Sequence, residues 1–453
     1  MAERFSDMEK ASVPSKQTLE ERLKEYPELK AKIEMLLGII ENAGGDIEKA
    51  AEAERRIIEE LRQMGNEVLH GWARRQQEKK EKECDAKPGV NRKGKKNLYW
   101  YTRLGKIEIE EQIFTAGRRG PQMRPFCESA EVACRGYSEG LQRALTDFGA
   151  EKAFARAAVR VKEHYGMEVP VSAVREITEE HGAQMLTQEQ QKSDWPDRPG
   201  VPVLIVEMDG SMLPVVEVAE PRPGEAAPDL RKTRRVSWKE ARLALAREPG
   251  SVTPVVGATL GSAEEAGERL AVCARQAGAG NQTKFHGVGD AAAWIIEQME
   301  VQFGAQAKYT VDLYHVCDYL SAAGERIAGT AKAEWMKEKK DGLKENRWKE
   351  VLEALRPFLE PANLPDAEAP VRVCFRYLSN HSDFLDYKTA LAAGLPTGSG
   401  EIESAHRYVF QSRLKIAGAW WKMENLKKMV ALRVLRANGG WEDYWGNVYQ
   451  KAA

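Results

Sequence analysis

Residues 201–218 constrain the fold of this chain more than any other stretch. Their sequence, VPVLIVEMDGSMLPVVEV, is an apolar, β-branched run that reaches Asp209-Gly210 and leaves through a second β-rich run. Asp-Gly is a strong signal for a two-residue hairpin, so the pattern predicts a buried strand, a tight turn and an antiparallel neighbour. An aspartate there serves either the turn or a functional site, and this stretch alone leaves both interpretations open.

Downstream of this stretch, short β-rich runs alternate with amphipathic runs. This alternation is typical of an α/β core. The predicted strands are 251–259, 285–289 and 308–312, and the predicted helices are 263–276 and 291–303. Helical, charged sequence rich in Trp and Lys then interrupts the pattern from about residue 317 to 396, which predicts a helical insertion within the core.

The sequence upstream of residue 195 is mainly helical. Residues 16–83 carry apolar side chains at helical spacing, with a predicted turn at Gly44-Gly45. Residues 87–96 are basic and contain glycine, which we interpret as a linker. The next stretch has isoleucines at alternate positions and a turn signal at Leu104-Gly105, and it predicts a small hairpin.

Residues 151–165 and 172–185 have the layout of a helix-turn-helix. Ser172 is the predicted N-cap of the second helix, and Arg175 near its start would face a DNA groove. An ordinary helical hairpin explains the same pattern equally well. A Pro-rich boundary follows at 194–200. Five regions result: a helical region 1–86, a DNA-binding region 87–195, a first core part 196–318, a helical insertion 319–395 and a last core part 396–453.

Composition narrows the class of protein without identifying it. The chain of 453 residues has 68 Lys and Arg against 69 Asp and Glu, so its net charge of −1 does not by itself indicate nucleic-acid binding. Basic residues are nevertheless concentrated in 74–103 and after Glu403. No apolar run approaches the ~20 residues that a membrane helix needs, and the start has no signal-peptide pattern. We therefore predict a cytoplasmic protein without a membrane partner.

Two further acids follow turn or strand signals. Asp290 comes directly after a predicted strand, and Glu403 lies in the first turn of a helix that begins after the Gly-rich segment 394–400. A structural role is a fair alternative for each, because an N-cap contributes about 1 kcal/mol and a helix dipole favours acids in its first turn. Asp312 competes with Asp290, and Glu401 competes with Glu403.

Three converging carboxylates match the needs of phosphodiester cleavage. Two divalent metals roughly 3.5–4 Å apart activate the nucleophile and hold the leaving oxygen, and Mg²⁺ prefers oxygen ligands. Asp209 and Asp290 on strands, with Glu403 on a helix over the sheet, would supply such a set. The sequence therefore predicts two Mg²⁺ or Mn²⁺ ions held by Asp209, Asp290 and Glu403.

Several sequence blocks resemble a known family. They are MDGSM, VGDAAAWI, VDLYHVCDYL, GLPTGSGEIESAHRYVFQSRLKIAGAWW and LRVLRANGGWEDYW. These blocks are similar to the RNase H-like DDE transposases of bacterial insertion sequences, most closely the ISKra-type family. The resemblance implies that Asp209, Asp290 and Glu403 are the three catalytic acids. It implies that Asp312 and His315 form a D-x-x-H element near the site, and Ala291 stands where the family usually has glycine.

The resulting hypothesis is a transposase that acts on double-stranded DNA as a homodimer or higher oligomer. It would bind the ends of a mobile element, hydrolyse one strand and use the freed 3′-hydroxyl to attack target DNA. While bound to DNA it would be associated with the nucleoid. The predicted phosphate contacts are Arg175, Arg407, Arg413 and Lys415. Two rival hypotheses are a domesticated, non-catalytic DNA-binding protein and an RNase H-like nuclease acting on branched DNA or hybrids.

Overall fold

The computed structural model describes residues 18–41, 47–117, 120–133, 135–189, 195–217 and 234–451. The chain forms two compact units. The first contains the described residues of Met1–Leu145, Ala158–Val171 and Val448–Ala453, and the second contains Thr146–Ala157 and Ser172–Asn447. Within these described ranges, every helix is too short or too polar to cross a membrane. The predicted turn at Gly44-Gly45 and Asp194 of the Pro-rich boundary lie outside the described residues.

The first unit combines helices with a small sheet. Its elements are α1 (Leu19–Lys24), α2 (Pro27–Ile40), α3 (Ala50–Asp85), β1 (Val90–Thr102), β2 (Gly105–Ala116), β3 (Gln122–Met123), α4 (Pro125–Ser129) and β4 (Gly136–Tyr137). The sheet order is β3-β2-β1-β4. Ile107 and Ile109 of β2 pack with Ala73 of α3, since alternate residues of a strand share one face. The predicted helices and the predicted hairpin are confirmed.

The linker predicted for residues 87–96 is wrong, because β1 already begins at Val90. Its basic residues are exposed, and the pairs they form include one with Asp85 at the end of α3 and one with an acid on β2. Lys95, for example, pairs in register with Gln112 and donates to Glu110 at 2.8 Å. Opposite charges across neighbouring strands stabilise a sheet, so a basic run can be a strand when its partner strand is acidic.

Three helices follow: α5 (Glu139–Glu151), α6 (Phe154–Tyr165) and α7 (Val171–Glu189). The two helices of the predicted helix-turn-helix are therefore present. Helix α7 begins at Val171, so Ser172 lies inside the helix and its prediction as the N-cap is wrong. The DNA-binding role of this helix pair stays a prediction.

The second unit is organised around a five-stranded mixed sheet. Its strands are β5 (Val203–Glu217), β6 (Arg235–Arg247), β7 (Val255–Thr259), β8 (Lys284–Gly289) and β9 (Ala307–Val311). Their order is β7-β6-β5-β8-β9. Strand β6 is antiparallel to both of its neighbours, β5 and β7, whereas β8 runs parallel to β5 and β9 runs parallel to β8. The predicted strands near 251–259, 285–289 and 308–312 are confirmed as β7, β8 and β9.

The tight turn predicted at Asp209-Gly210 is wrong. Strand β5 continues through both residues, with Asp209 opposite Leu243 and Gly210 opposite Arg242 of β6. The long antiparallel partner supplies backbone hydrogen bonds along the whole of β5, which outweighs the local turn preference.

Helices cover both faces of this sheet. The helices from residue 263 onward are α8 (Ala263–Gln276), α9 (Ala293–Phe303), α10 (Leu313–Ile327), α11 (Lys332–Lys344), α12 (Trp348–Leu355), α13 (Pro370–Asn380), α14 (Tyr387–Ala392), α15 (Gly400–His406), α16 (Ser412–Leu414), α17 (Met423–Ala437) and α18 (Trp441–Lys451). A π-helical segment, Arg407–Gln411, connects α15 to α16. The helix predicted at 263–276 is confirmed to the residue, and the stretch 319–395, described throughout, is helical without a strand.

The alternation of β5 assigns its side chains to two cores. Leu204, Val206 and Met208 pack in the core that includes α8, α9 and α10. Leu213 and Val215 pack in the core that includes α15 and α17. Because residues two apart share a face, Glu207 and Asp209 belong to the side that carries α15. The mixed α/β class predicted from the sequence is therefore confirmed.

Candidate functional site

Three aspartates stand in one row across adjacent parallel strands. Glu207 of β5 pairs with Val288 of β8, so continuing this register brings Asp209 level with Asp290. Gly289 of β8 pairs with Val311 of β9, which brings Asp290 level with Asp312. The carboxyl ends of parallel strands are where open α/β sheets bind ligands. Asp290 and Asp312 lie at those ends, and Asp209 lies beside them because β5 continues past β8.

Helix α15 brings Glu403 to the same place. The helix starts after the Gly-rich segment, and its buried Ile402 packs in the core beneath β5. The N–H of Ile402 donates to Oε2 of the buried Glu207 at 2.9 Å. This bond satisfies one of the free N–H groups of the first helical turn. Glu207 therefore ties the start of α15 to the strand that carries Asp209.

The predicted acids line one cavity of about 310 Å³. Its walls carry five carboxylates, and no lysine or arginine is among the lining residues that the structure describes. The lining residues are Met208, Asp209, Gly289, Asp290, Asp312, Tyr314, His315, Asp318, Ser399, Gly400 and Glu403. The fold thus brings together Asp209, Asp290, Glu403, Asp312 and His315, whose chemical roles stay predictions. Asp318, one turn after His315 on α10, was not singled out from the sequence.

The competition between Glu401 and Glu403 has a clear geometric outcome. Glu403 is exposed and lines the cavity, whereas Glu401 is not among its lining residues. The Glu401 carboxylate is in an ion pair with Arg247 of β6. Glu401 therefore holds the helix to the sheet, and Glu403 is the glutamate available to a ligand.

Asp312 is fully engaged by the protein. Its Oδ1 accepts from the N–H groups of Tyr314 and His315 at 2.6 and 3.2 Å, which caps α10. Its Oδ2 accepts from the N–H and the hydroxyl of Ser399 at 2.8 and 2.5 Å. Asp312 thus anchors the Gly-rich segment before Glu403. The Asp290 carboxylate has fewer hydrogen bonds than that of Asp312 in the described part of the chain: its Oδ1 accepts from the Ala292 N–H at 2.9 Å.

The backbone turn at Asp290 is held by two tyrosines that sequence reasoning missed. Ala291 has φ +63, a left-handed conformation that favours glycine and is strained for other residues. Its N–H donates to the Tyr309 hydroxyl at 3.1 Å, and the Tyr377 hydroxyl donates to the Asp290 carbonyl at 2.8 Å. Burial raises the pKa of both tyrosines, so both hydroxyls stay protonated. Only the unusual alanine gave a sequence signal.

A buried histidine contacts Asp209. Oδ1 of Asp209 accepts from the Gly210 N–H at 2.7 Å, and Oδ2 lies 3.0 Å from Nε2 of His406. The sequence signal was the spacing of His406, three residues after Glu403, because residues three apart share a side of a helix. That signal was overlooked.

Glu207 is a second buried acid that sequence reasoning missed. It is 2% exposed, and burial raises its pKa to about 7, with a nearby Asp312 adding to the effect. The Ile402 N–H and the positive charge of Arg247 oppose this rise. The sequence signal that could have identified Glu207 was the presence of an acid within the apolar run that forms the first part of β5.

One predicted phosphate contact is contradicted by the structure. Arg413 is 2% exposed, and its Nε donates to the Gly149 carbonyl at 3.0 Å. Its guanidinium lies over the rings of Phe154 and Trp421, and burial lowers its pKa to about 10. Arg413 is therefore a core residue that cannot reach DNA, and the prediction was wrong because helical spacing did not reveal which side faces the core.

The other predicted phosphate contacts lie at the surface or next to the acids. Arg175 is exposed on α7 and lies 3.3 Å from Glu176, and Arg407 is exposed on the π-helical segment. Lys415 donates to the hydroxyl of Ser211 at 2.8 Å. Ser211 is two residues after Asp209 on the same face of β5, so Lys415 brings a positive charge close to the acidic cavity.

The cavity fits a divalent cation by its donor chemistry. Carboxylate oxygens are the ligands that Mg²⁺ and Mn²⁺ accept, and Asp209, Asp290 and Glu403 would hold such ions. Among the residues described, no three His, Cys, Asp or Glu side chains are already spaced to ligate one ion. The contacts above explain the present spacing, because Asp209 is directed at His406 and Gly210, and Asp290 at Ala292.

The C-terminal part of the chain also matches a sequence family. Residues 274–449 match the model of an uncharacterised protein family (UPF0236). The match covers less than half of the chain; it includes Asp290, Asp312, Glu403 and His406 but not Asp209. No curated protein matches the chain.

Proposed function

We propose that this protein is a DDE transposase that binds transposon-end DNA and catalyses metal-dependent strand cleavage and strand transfer. One observation carries the proposal: Asp209, Asp290 and Glu403, from a strand, a strand end and a helix, line one acidic cavity. The resemblance of the surrounding sequence blocks to ISKra-type transposases assigns the same three residues. Two independent lines of reasoning therefore meet at the same carboxylates.

The sheet topology supports an RNase H-like core for this enzyme. Three successive antiparallel strands, β5, β6 and β7, are followed by β8 and β9, which run parallel to β5. The central strand carries the first acid, the next parallel strand leads to the second, and a helix packed on the sheet carries the third. This is the arrangement that the proposed chemistry needs.

The charge of the cavity supports metal dependence. Five carboxylates around one cavity would repel a phosphodiester, because like charges at short range are unfavourable. Bound Mg²⁺ or Mn²⁺ would invert the local charge, activate a water molecule and stabilise the leaving oxygen. Asp209, Asp290 and Glu403 would hold these ions, while Asp312 would keep the Gly-rich segment and α10 in place.

Basic residues beside the cavity support binding of the DNA backbone. Arg407 lies one helical turn after Glu403 and is exposed, and Lys415 contacts Ser211 next to Asp209. Phosphate contacts of this kind make affinity fall steeply with salt. Arg175 is also exposed and belongs to the predicted DNA-binding helices.

The test is a cleavage and joining assay on DNA that carries the inverted repeats flanking the coding region, with Mg²⁺ or Mn²⁺. Asp209→Asn and Glu403→Gln should each abolish cleavage, because each removes a charged metal ligand. Glu424→Gln is the matched control, since Glu424 is an exposed glutamate of the second unit outside the cavity, and it should cleave like the wild type. Normal cleavage by Asp209→Asn would disprove the proposed site.

The same assay separates the rival functions. Cleavage followed by joining of the 3′ end to target DNA supports the transposase. Cleavage without joining, especially of branched DNA or hybrids, would point to a structure-specific nuclease. DNA binding with no metal-dependent cleavage would point to a domesticated DNA-binding protein.

A further inference from the structure

We propose that His406 is a positioning residue that holds Asp209 in the orientation needed for metal binding. The inference rests on the proposed function, and it concerns a residue that the resemblance does not assign. Nε2 of His406 lies 3.0 Å from Oδ2 of Asp209. His406 would act through this contact, without touching the metal itself.

The position of His406 excludes a direct metal contact. The side chain is 2% exposed, and it is absent from the lining of the cavity, whereas Asp209 and Glu403 both line it. The imidazole therefore approaches the Asp209 carboxylate from the protein interior. In protein metal sites, a residue that hydrogen-bonds to a metal-binding side chain on the side away from the metal fixes the orientation of that side chain. His406 is in such a position relative to Asp209.

In the described part of the chain, the His406 side chain makes few other interactions. Its Nδ1 has no hydrogen-bond partner there, and the alignment at Nε2 falls short of a hydrogen bond despite the 3.0 Å separation. Its ring packs against Phe410 at a centroid distance of 5.4 Å. Burying polar nitrogens without partners is unfavourable, so an apolar residue would serve the core better. A small rotation of Asp209 would complete the bond from Nε2–H.

The local helix geometry is also unusual at this residue. The π-helical segment Arg407–Gln411 begins directly after His406. π-helical turns are rare and occur frequently at functional sites. Here the segment follows the turn that carries both Glu403 and His406.

Two contacts would then fix the first acid. The Gly210 N–H already binds Oδ1 of Asp209, and His406 would bind Oδ2. Each oxygen keeps a further lone pair for a cation, because a carboxylate oxygen has two. Losing such an outer partner typically lowers metal affinity by about 10–100-fold.

The experiment measures Mn²⁺ binding to the full chain by titration calorimetry, with free Mn²⁺ followed by electron paramagnetic resonance. The variants are His406→Leu, which keeps the volume but has no donor, and His406→Gln, which keeps an N–H near the position of Nε2. We expect His406→Leu to raise the Kd for Mn²⁺ by about 10–100-fold. His406→Gln should stay close to the wild type, and thermal unfolding without metal should show that both variants are folded.

The outcomes separate this inference from the proposed function. Wild-type Mn²⁺ affinity in His406→Leu would overturn the role of His406 and leave the three-acid site intact. If the wild type binds no Mn²⁺, or if its Mn²⁺ binding survives in Asp209→Asn, the metal site and the role of His406 are both disproved. If His406→Leu does not fold, His406→Asn replaces it, because its shorter amide does not reach Asp209 and should weaken binding in the same range.

Discussion

Among the described residues, each unit of this protein buries a glutamate against the start of a helix, and the two carboxylates have very different hydrogen-bond partners. Glu111 of β2 accepts from the N–H groups of Phe126 and Cys127 at 2.7 and 3.1 Å. It also accepts from Arg124 at 2.9 Å and from the Cys127 thiol at 3.0 Å. Glu207 of β5 accepts from Ile402, and nearby Arg247 is in an ion pair with Glu401.

The difference separates a structural acid from one placed beside a candidate active site. Buried carboxylates are tolerated when several donors satisfy them, as at Glu111. Around the acidic cavity three arrangements are less favourable: the buried Glu207 has a raised pKa, Ala291 has a left-handed backbone, and an imidazole nitrogen of His406 has no partner in the part of the chain that the structure describes. Such costs concentrate at functional sites because ligand geometry, rather than stability, selects the residues there.

The largest effect should come from Glu111. Glu111→Ala removes the acceptor of two buried N–H groups and the partner of Arg124, so we expect a loss of about 3–5 kcal/mol in the free energy of unfolding. Urea unfolding measures it. Glu110→Ala is the control: Glu110 is exposed, its pair with Lys95 lies at the surface, and the expected loss is under about 1 kcal/mol. Equal losses in the two variants would show that Glu111 is not a structural acid.

Glu207→Gln should raise the free energy of unfolding, in contrast to Glu111→Ala, which lowers it. Because burial raises the pKa of Glu207 to about 7 in the folded state, its contribution to stability is complete below the unfolded value near 4.5 and is lost as the pH rises through 7. Glutamine mimics the neutral acid at every pH. The variant should therefore match the wild type near pH 5 and exceed its free energy of unfolding by about 3 kcal/mol at most near pH 8.

Urea unfolding of both proteins in EDTA at pH 5, 6, 7 and 8 measures this difference. Groups other than residue 207 titrate in both proteins and cancel in the comparison. A difference that does not change between pH 5 and pH 8 would mean that Glu207 is satisfied as well as Glu111 is.

The smallest effect should come from Ala291→Gly. Glycine adopts positive φ without steric cost, but it also gains entropy in the unfolded chain, so the net gain should be about 0–1 kcal/mol. Thermal unfolding measures it, and Gly105→Ala, which imposes the reverse change at φ +143 in the first unit, should destabilise. Destabilisation by Ala291→Gly would show that the turn beside Asp290 is unstrained.

Local signals identified most elements correctly. Helix α8 matches its prediction because Ser262 caps it and its apolar residues recur at helical spacing. The strands β7, β8 and β9 are short, β-rich and separated by turns or helices. Predictions failed where a segment distant in sequence determined the structure. Pairing with β6 continues β5 through Asp209-Gly210, and pairing with β2 makes the basic stretch from Val90 a strand. The rings of Phe154 and Trp421 enclose Arg413.

The sequence by itself determined the mixed α/β class, most strand and helix positions, and the choice of Asp209, Asp290 and Glu403 as candidates. Only the tertiary structure decided that these three acids share one cavity, that Glu403 rather than Glu401 faces it, and that His406 lies behind Asp209. The physical reason is range. Helix periodicity, caps and turn preferences act over a few residues, whereas strand register and the packing of α15 on β5 join segments almost 200 residues apart, as from Glu207 to Ile402.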